Sequence, residues 1–382
     1  MDARPQHYIG LMSGTSLDGV DAALVDLQST PRLLATHYSA FPQELRNELL
    51  DLHADGHAEL HRAALVSNQL AMLYAEAVQR LLTHARIQAH EVAAIGCHGQ
   101  TVRHRPEEGY TLQLNNSSLL AEYTGISVVS DFRSRDVAAG GNGAPLVPAF
   151  HAACFRAAGT HRAIINIGGI ANVTALPPAQ GAGSQTAVTG FDTGPGNMLL
   201  DAWAHEHLGA EHDTGGAFAA SGKVQEALLA ACLADPYFSM SPPKSTGRDR
   251  FHGMWLRAML DRLGAPEVAS LRPEDMQATL AELTARSIAE ALARWCPLSQ
   301  EAYACGGGVH NRDLMQRLER HLAAGPTKTT LASTEALGMH PDWVEAMAFA
   351  WLAQQAIERH PANLPAVTGA RGPRILGAIH PK

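Results

Sequence analysis

The chain has 382 residues, 46% of them hydrophobic and 17% charged, with a formal net charge of −8. That length exceeds one ordinary core and suits two globular domains, while the acidic balance and the absence of a basic run argue against a nucleic-acid partner. No apolar stretch is long enough to span a bilayer and no charged-then-apolar leader opens the chain, so no membrane role and a cytoplasmic protein are expected. Cys97, Cys154, Cys232, Cys296 and Cys305 are odd in number and never in C-x-x-C spacing, which reads as reduced small core residues.

In chain order, residues 8–12 and 19–25 form two apolar strands around Ser13-Gly14-Thr15-Ser16-Leu17-Asp18. Small and hydroxyl residues in such a turn expose backbone N–H groups to an anion, although a glycine-rich hairpin taken alone is equally a plain turn. The hydroxyls followed by Asp18 are what a phosphate and its Mg²⁺ need, since that metal takes hard oxygen ligands. A third strand is expected at 32–40, then helices at 43–53 and 57–85. In the second helix Leu60, Ala64, Ser67, Leu70, Ala71, Tyr74, Ala77, Val78 and Leu81 recur at helical spacing, one stripe against a sheet. Residues 92–96 read as a buried strand. His98-Gly99-Gln100-Thr101 lies just past its carboxyl end, where α/β proteins bind ligands. Strands at 111–114 and 126–129 follow, then Asp131-Phe132-Arg133-Ser134-Arg135-Asp136, and residues 140–145 look like the crossing into a second half.

The second half repeats the order. A helix at 147–158 precedes a hairpin at 163–176 whose tip is Gly168-Gly169, and an apolar strand from 187 has Asp192 at its end, inside Phe191-Asp192-Thr193-Gly194-Pro195-Gly196-Asn197. Residues 180–184 read as a loose hairpin tip. Helices are expected at 223–233, 251–263, 273–295 and 342–357, and strands at 301–305, leading into Gly306-Gly307-Gly308, and at 328–331. Two glycine turns at matching places in two halves suggest a duplicated core whose turns face each other and grip one polyphosphate, a nucleotide clamp.

Neither a G-x-x-x-x-G-K-[ST] loop, a G-x-G-x-x-G helix opening nor a G-x-S-x-G elbow occurs, so Ser13 and Ser16 fit phosphate better than covalent catalysis. Asp192 fits an Asx turn or a general base; its place after the second turn favours the base, which would take a proton from an attacking water or hydroxyl. Gly306, Gly307 and Gly308 would let backbone approach a ring or ribose closely, or would form a hinge. Glu345 sits beside an apolar helix face and reads from composition as a solvated carboxylate. Lys244-Ser245-Thr246-Gly247-Arg248 is a short basic loop suited to a carboxylate or phosphate, as are Arg133 and Arg135. The histidines of His205-Glu206-His207 point to different faces of a helix and do not make a metal site.

Six runs, in order along the whole chain, resemble the signatures of anhydro-N-acetylmuramic acid kinases. They are 9–21 (Ile-Gly-Leu-Met-Ser-Gly-Thr-Ser-Leu-Asp-Gly-Val-Asp), 96–101 (Gly-Cys-His-Gly-Gln-Thr), 143–148 (Gly-Ala-Pro-Leu-Val-Pro), 166–172 (Asn-Ile-Gly-Gly-Ile-Ala-Asn), 191–197 (Phe-Asp-Thr-Gly-Pro-Gly-Asn) and 363–370 (Asn-Leu-Pro-Ala-Val-Thr-Gly-Ala). Asn115-Asn116 departs from the Gly-Asp of that pattern, and Asp249 from its Glu. The resemblance implies the sugar kinase, actin and heat-shock ATPase superfamily: an α/β, two-domain actin-like ATPase (ribonuclease H-like) fold with duplicated sheet cores and an interdomain cleft. It would put 1–135 plus 360–382 in one domain and 136–359 in the other. The implied reaction opens the 1,6-anhydro bond of anhydro-N-acetylmuramic acid and phosphorylates its 6-oxygen with ATP and Mg²⁺, in peptidoglycan recycling and amino-sugar catabolism.

By the same resemblance Gly14, Thr15, Ser16, Leu17, Asp18, Gly19, Val20 and Asp21 bind the ATP phosphates, with Asp18 at the metal. Asn166, Gly168 and Gly169 form the second phosphate turn, Gly306 to Gly308 lie by the nucleoside, Asp192 is the base, and Thr101 and Glu345 meet the sugar. A homodimer is also implied. Two other functions compete: an ATP-driven switch, for which no appended partner-binding segment is visible, and a plain two-carboxylate glycoside hydrolase, which would leave both phosphate turns unexplained.

Overall fold

The computed structural model describes residues 7–14, 16–179, 187–247, 250–262 and 271–382. The expected hairpin tip at 180–184, together with Thr15, Arg248 and Asp249, lies outside the described residues. The chain divides into two compact units, Met1–Cys154 with Trp343–Lys382, and Phe155–Asp342.

The first unit begins with β1 (His7–Met12), β2 (Gly19–Asp26) and β3 (Arg32–Ala40), and continues through β4 (Val92–Cys97), β5 (Gln100–Arg105), β6 (Tyr110–Leu114) and β7 (Val128–Ser130). The second holds β8 (Arg162–Ile167), β9 (Ile170–Leu176), β10 (Thr189–Pro195), β11 (Glu301–Cys305) and β12 (Thr330–Ser333). The chain returns to the first unit to add β13 (Ala378–His380). Among the described residues the sheet orders are β13-β7-β4-β1-β2-β3 and β10-β9-β8-β11-β12, with β5 and β6 as a separate ribbon.

The two large sheets share one topology. In each, three consecutive strands pair antiparallel (β1-β2-β3 and β8-β9-β10), and the first of them pairs parallel with the strand after a helical crossover, β1 with β4 and β8 with β11. A further parallel strand follows, β7 beside β4 and β12 beside β11. The expected α/β class and duplicated sheet core are therefore what forms.

In the first unit the alternation of a strand decides its two faces. Ile9 and Leu11 of β1 join Val20, Ala22 and Leu24 of β2 in a core with Leu70, Tyr74, Val78 and Leu81 of the helix Glu59–Ala85. On the other face lies the helix Val344–Ile357. It approaches so closely that a Cβ on Gly10 would stand 1.7 Å from the Ala346 carbonyl oxygen, and one on Gly96 2.0 Å from that of Phe349. Glycine at both positions is what admits this helix. The second unit buries Ile165, Val173 and Phe191 against Leu280, Leu283 and Ile288 of the helix Pro273–Trp295. No described helix is long and apolar enough to cross a membrane.

Several expectations need correction. Residues 136–154 and 343–359 cluster with the first unit, not the second. Asp136 explains the former: it is fully buried and accepts hydrogen bonds from the Gly143 amide (2.8 Å), Asn363 Nδ2 (2.7 Å) and Thr368 Oγ1 (2.8 Å), binding 136–143 to the chain's C-terminal segment. The glycine contacts just described account for the latter. Leu60, placed on the buried stripe, is 89% exposed, and Ala64 is exposed too, because the first turns of that helix extend past the sheet. Residues 98–101 do not simply trail from β4; Gln100 already begins β5, paired with β6.

His151, in the helix Val147–Phe155, is 1% exposed, and burial pushes its pKa from 6.5 down to about 3. The unfolded chain therefore binds a proton that the fold excludes between those values, and stability falls as pH falls through that window. Replacing His151 by Leu is expected to remove about 1.4 kcal/mol of this loss per pH unit, measured by urea melts between pH 6 and 4. Equal pH dependence in the two proteins would count against a buried neutral imidazole.

Candidate active site

The first turn joins β1 to β2 at the end of the sheet where β4 also terminates. Its loop is braced from beneath: Gln100 Nε2 donates to the Gly14 carbonyl (3.1 Å), and the Ser13 hydroxyl lies 2.8 Å from the Tyr74 hydroxyl and donates to the Gly99 carbonyl (3.2 Å). Ser13 is thus 2% exposed and committed to the scaffold, which corrects its assignment to phosphate. Leu17 and Val20 are core residues at 1% and 0% exposure, so of the 14–21 run they offer a ligand backbone groups only. Leu17 also adopts φ 59°, the left-handed turn conformation that Gly14 does not need. A Cβ on Gly14 would meet only Ser16 Oγ, at 3.8 Å, so that glycine faces open space. Asp18 is exposed; its Oδ1 accepts from Ser16 Oγ (2.9 Å) and from the Gly19 amide (3.1 Å), which leaves acceptor capacity toward solvent.

Beneath this loop sits His98, buried against Phe349 with ring centroids 4.8 Å apart. Its Nε2 accepts from Arg133 Nε (3.2 Å) and Nη2 (2.8 Å), so Nδ1 carries the proton and donates to the Ser13 carbonyl (3.2 Å). Burial, reinforced by the Arg133 charge, pushes the His98 pKa down to about 3 and keeps the ring neutral. Arg133 also donates to the Gly143 carbonyl (2.8 Å), so it is a structural tie and not a free anion ligand.

Thr101 lies on β5, where its hydroxyl accepts from Gln113 Nε2 (3.2 Å). Gln113 in turn lines a pocket of about 430 Å³ with Ser67, Asn68, Asn116, Ser130 and His98, a wall of amides and hydroxyls. The buried Oε1 of Gln113 and Oδ1 of Asn115 have no partner among the described residues. Glu345 is half-buried in the first turn of the helix Val344–Ile357. That helix ends near the Leu27 carbonyl, which accepts from Gln354, and so places Glu345 at the turn-bearing end of the sheet. Asp21, on β2 opposite Met12, stands at the same end.

The second unit brings its three motifs together. Gly168 and Gly169 form the two-residue tip between β8 and β9, and their carbonyls accept from the amides of Asn197 (2.8 Å), Gly196 (2.9 Å) and Met198 (3.1 Å). A Cβ on Gly168 would meet only the Ile170 carbonyl, at 3.6 Å. Gly306 has φ +82°, and a Cβ there would stand 2.5 Å from Asn166 Oδ1, so the triglycine backbone lies directly on the Asn166 segment; Gly308 packs against Ile167.

Asp192 is not at the end of its strand but within β10, at an irregularity where the register with β9 slips between Asp192 and Gly194. Such a bulge re-aims a side chain. The carboxylate Oδ2 accepts from the Thr246 amide (2.9 Å), the Asp192 amide donates to the Lys244 carbonyl (3.2 Å), and its carbonyl accepts from the Tyr237 hydroxyl (2.8 Å). Lys244, read from sequence as part of an exposed anion loop, is instead 5% exposed: its Nζ donates to the Tyr237 carbonyl (3.0 Å) and lies 4.5 Å from that ring's centroid. Burial pushes its pKa down to about 8, with Arg294 acting the same way and Asp192 opposing. Tyr237 gives no signal in the sequence, and Gln100 stands out only as part of its run and not for this bracing role, because each acts through a contact to backbone remote in the chain.

No group of three His, Cys, Asp or Glu able to hold a metal occurs among the described residues. A lone exposed carboxylate at Asp18 suits Mg²⁺, which is commonly held by one or two carboxylates together with substrate phosphates.

Comparison with known proteins supplies the family. The family model described as anhydro-N-acetylmuramic acid kinase matches residues 6–382. Proteins of that name from Thiobacillus denitrificans and Nitrosomonas europaea are 53% identical, over 100% of this chain and 100% of the relative in the first case and over 98% and 99% in the second. One from Bordetella petrii is 54% identical, over 98% of this chain and 96% of the relative. Among solved structures, an activator of 2-hydroxyisocaproyl-CoA dehydratase from Clostridium difficile with bound ADPNP aligns at TM-score 0.45 and 12% identity, covering 92% of this chain and 96% of that one. The chain belongs to the anhydro-N-acetylmuramic acid kinase family and is an ATP-using phosphotransferase that phosphorylates anhydro-N-acetylmuramic acid in cell-wall recycling.

Proposed function

We propose that Asp192 is the base that activates water for opening of the 1,6-anhydro bond while the 6-oxygen takes the phosphoryl group of ATP. The observation that carries this reading is a carboxylate set at a strand bulge, pinned through Oδ2 to the Thr246 amide, on the strand whose continuation braces the Gly168-Gly169 turn. In the first unit Gly14, Thr15, Ser16, Gly19 and Asp21, with backbone groups of Leu17 and Val20, bind ATP phosphates; in the second, Asn166, Gly168 and Gly169 form a phosphate turn and Gly306 to Gly308 lie by the nucleoside. Mg²⁺ held by Asp18 would neutralise charge on the transferring phosphoryl group. Thr101 and Glu345 meet the sugar. The amide-lined pocket beside Thr101 seats its acetamido and hydroxyl groups, because unpartnered carbonyl oxygens on Gln113 and Asn115 suit N–H and O–H donors. Five scattered cysteines fit a reducing cytoplasm, and we read the working assembly as a homodimer, to be tested by sedimentation.

Asp192→Asn should retain ATP binding but lose turnover by ~10²–10⁴-fold, the usual contribution of a positioned acid–base group. Turnover within threefold of wild type would remove Asp192 from this role.

Gly14→Val should weaken ATP binding by ~10-fold or more with the melting temperature nearly unchanged, since the added Cβ would meet only Ser16 Oγ, at 3.8 Å. An unaltered calorimetric affinity would place the phosphates elsewhere.

The stereochemical outcome is also fixed. The anhydro bridge occupies the β face of the anomeric carbon, so water enters from the opposite face and the first product is the α-anomer of the 6-phosphate. The bridge opens only as its oxygen accepts the phosphoryl group, a loose transition state whose charge the turns stabilise. Proton NMR before mutarotation reads this directly; an initial β-anomer, or ring opening without nucleotide, would refute the coupled mechanism.

A further inference from the structure

The loop that carries Thr246 does more than pin the carboxylate. The Lys244 carbonyl accepts from the Asp192 amide and the Thr246 amide donates to the Asp192 carboxylate, and the buried Lys244 head, held by the Tyr237 carbonyl and ring, fixes the loop in place. The Thr246 amide touches the carboxylate at 2.9 Å, so the Thr246 hydroxyl belongs to a residue whose backbone is bonded to that carboxylate. Yet the Thr246 Oγ1 is buried and has no hydrogen-bond partner among the described residues. A buried hydroxyl without a partner is costly unless water or substrate meets it. Other buried threonines of the same unit turn this oxygen toward a backbone carbonyl, Thr193 to Ala171 at 3.1 Å and Thr284 to Pro195 at 3.1 Å, while Thr334 also leaves its hydroxyl unpartnered among the described residues but makes no hydrogen bond to Asp192.

We propose that Thr246 Oγ1 is a second catalytic group, which holds the attacking water beside Asp192; the inference rests on Asp192 being the base. The water gives one proton to the Asp192 carboxylate, directs its other O–H to Thr246 Oγ1 and forms the bond to the anomeric carbon with its lone pair. The electron pair of the breaking anomeric C–O bond stays on the 6-oxygen, which bonds the γ-phosphorus as the bond from that phosphorus to the ADP oxygen breaks. Asp192 then returns the proton to solvent. Two fixed acceptors orient the nucleophile along one line, where the carboxylate alone would leave it free to rotate.

The test measures Thr246→Val, Thr246→Ser, Thr246→Ala and Asp192→Asn together. Val preserves shape and the backbone amide while deleting the hydroxyl; Ala deletes it without any risk of crowding. Both should lower kcat by ~10- to 100-fold with the KM for ATP within about twofold, and Ser should restore kcat to within about threefold of wild type. Val and Ala at wild-type kcat beside an inactive Asp192→Asn would overturn the water-holding role and leave the base reading intact. Ser as impaired as Val, or a loss confined to the KM for ATP, would overturn it equally, since either points to a packing role. An active Asp192→Asn would overturn both readings.

Discussion

Three amide-to-carbonyl hydrogen bonds, from Gly196, Asn197 and Met198 to Gly168 and Gly169, set the spacing between the second turn and Asp192. The role we propose for Asp192 depends on that spacing. The bonds form only because the chain at 196 comes extremely close to the tip: a Cβ on Gly196 would stand 2.3 Å from the Gly168 carbonyl oxygen. With those carbonyls consumed, the tip presents amides and not carbonyls to its free side, which is the polarity an anion needs. Asn197 adds a side-chain bond to the Ile167 carbonyl (3.2 Å), so turn, strand and the following helix Met198–Leu208 move as one body.

The first unit solves the same problem with different parts. There the turn is longer, and side chains from the segment after β4 hold its carbonyls: Gln100 takes that of Gly14 and His98 that of Ser13. The neutral state of His98 matters to this arrangement. A protonated ring would turn a donor toward the Arg133 guanidinium and lose the acceptor that holds it, so the depressed pKa and the geometry describe one constraint. Both units therefore bind backbone carbonyls of a glycine turn from behind, which frees the amides in front.

Much of this was legible in the sequence because it depends on backbone. Glycine turns between apolar runs, the buried strand at 92–97 and the long helix at 273–295 each follow from local pattern, and the repeat of turn and strand forecasts two sheets of one topology. What pattern did not show was sequence-distant contact. Residues 343–359 read as part of the second half by position, yet they pack on β1 and β4, and the reason is two glycines more than two hundred residues earlier. Lys244 read as a surface charge because lysine usually is one; two aromatic rings and a carbonyl that bury it come from 191 and 237. Leu60 failed for the opposite reason, since helical periodicity continues past the place where the sheet stops.

The position of Lys244 shows how the second unit balances its charges. A cation so close to Asp192 that neither is fully solvated would ordinarily form an ion pair, which would tie up the carboxylate we propose as the base. Here the ammonium points at the Tyr237 carbonyl and at the ring face, while the carboxylate takes a neutral amide. Asp192 raises the Lys244 pKa through space, yet the ammonium makes its hydrogen bond to the Tyr237 carbonyl and not to that acid. Separating field from contact in this way is what the base proposed for Asp192 requires, since an ion pair would take up the lone pairs that accept a proton.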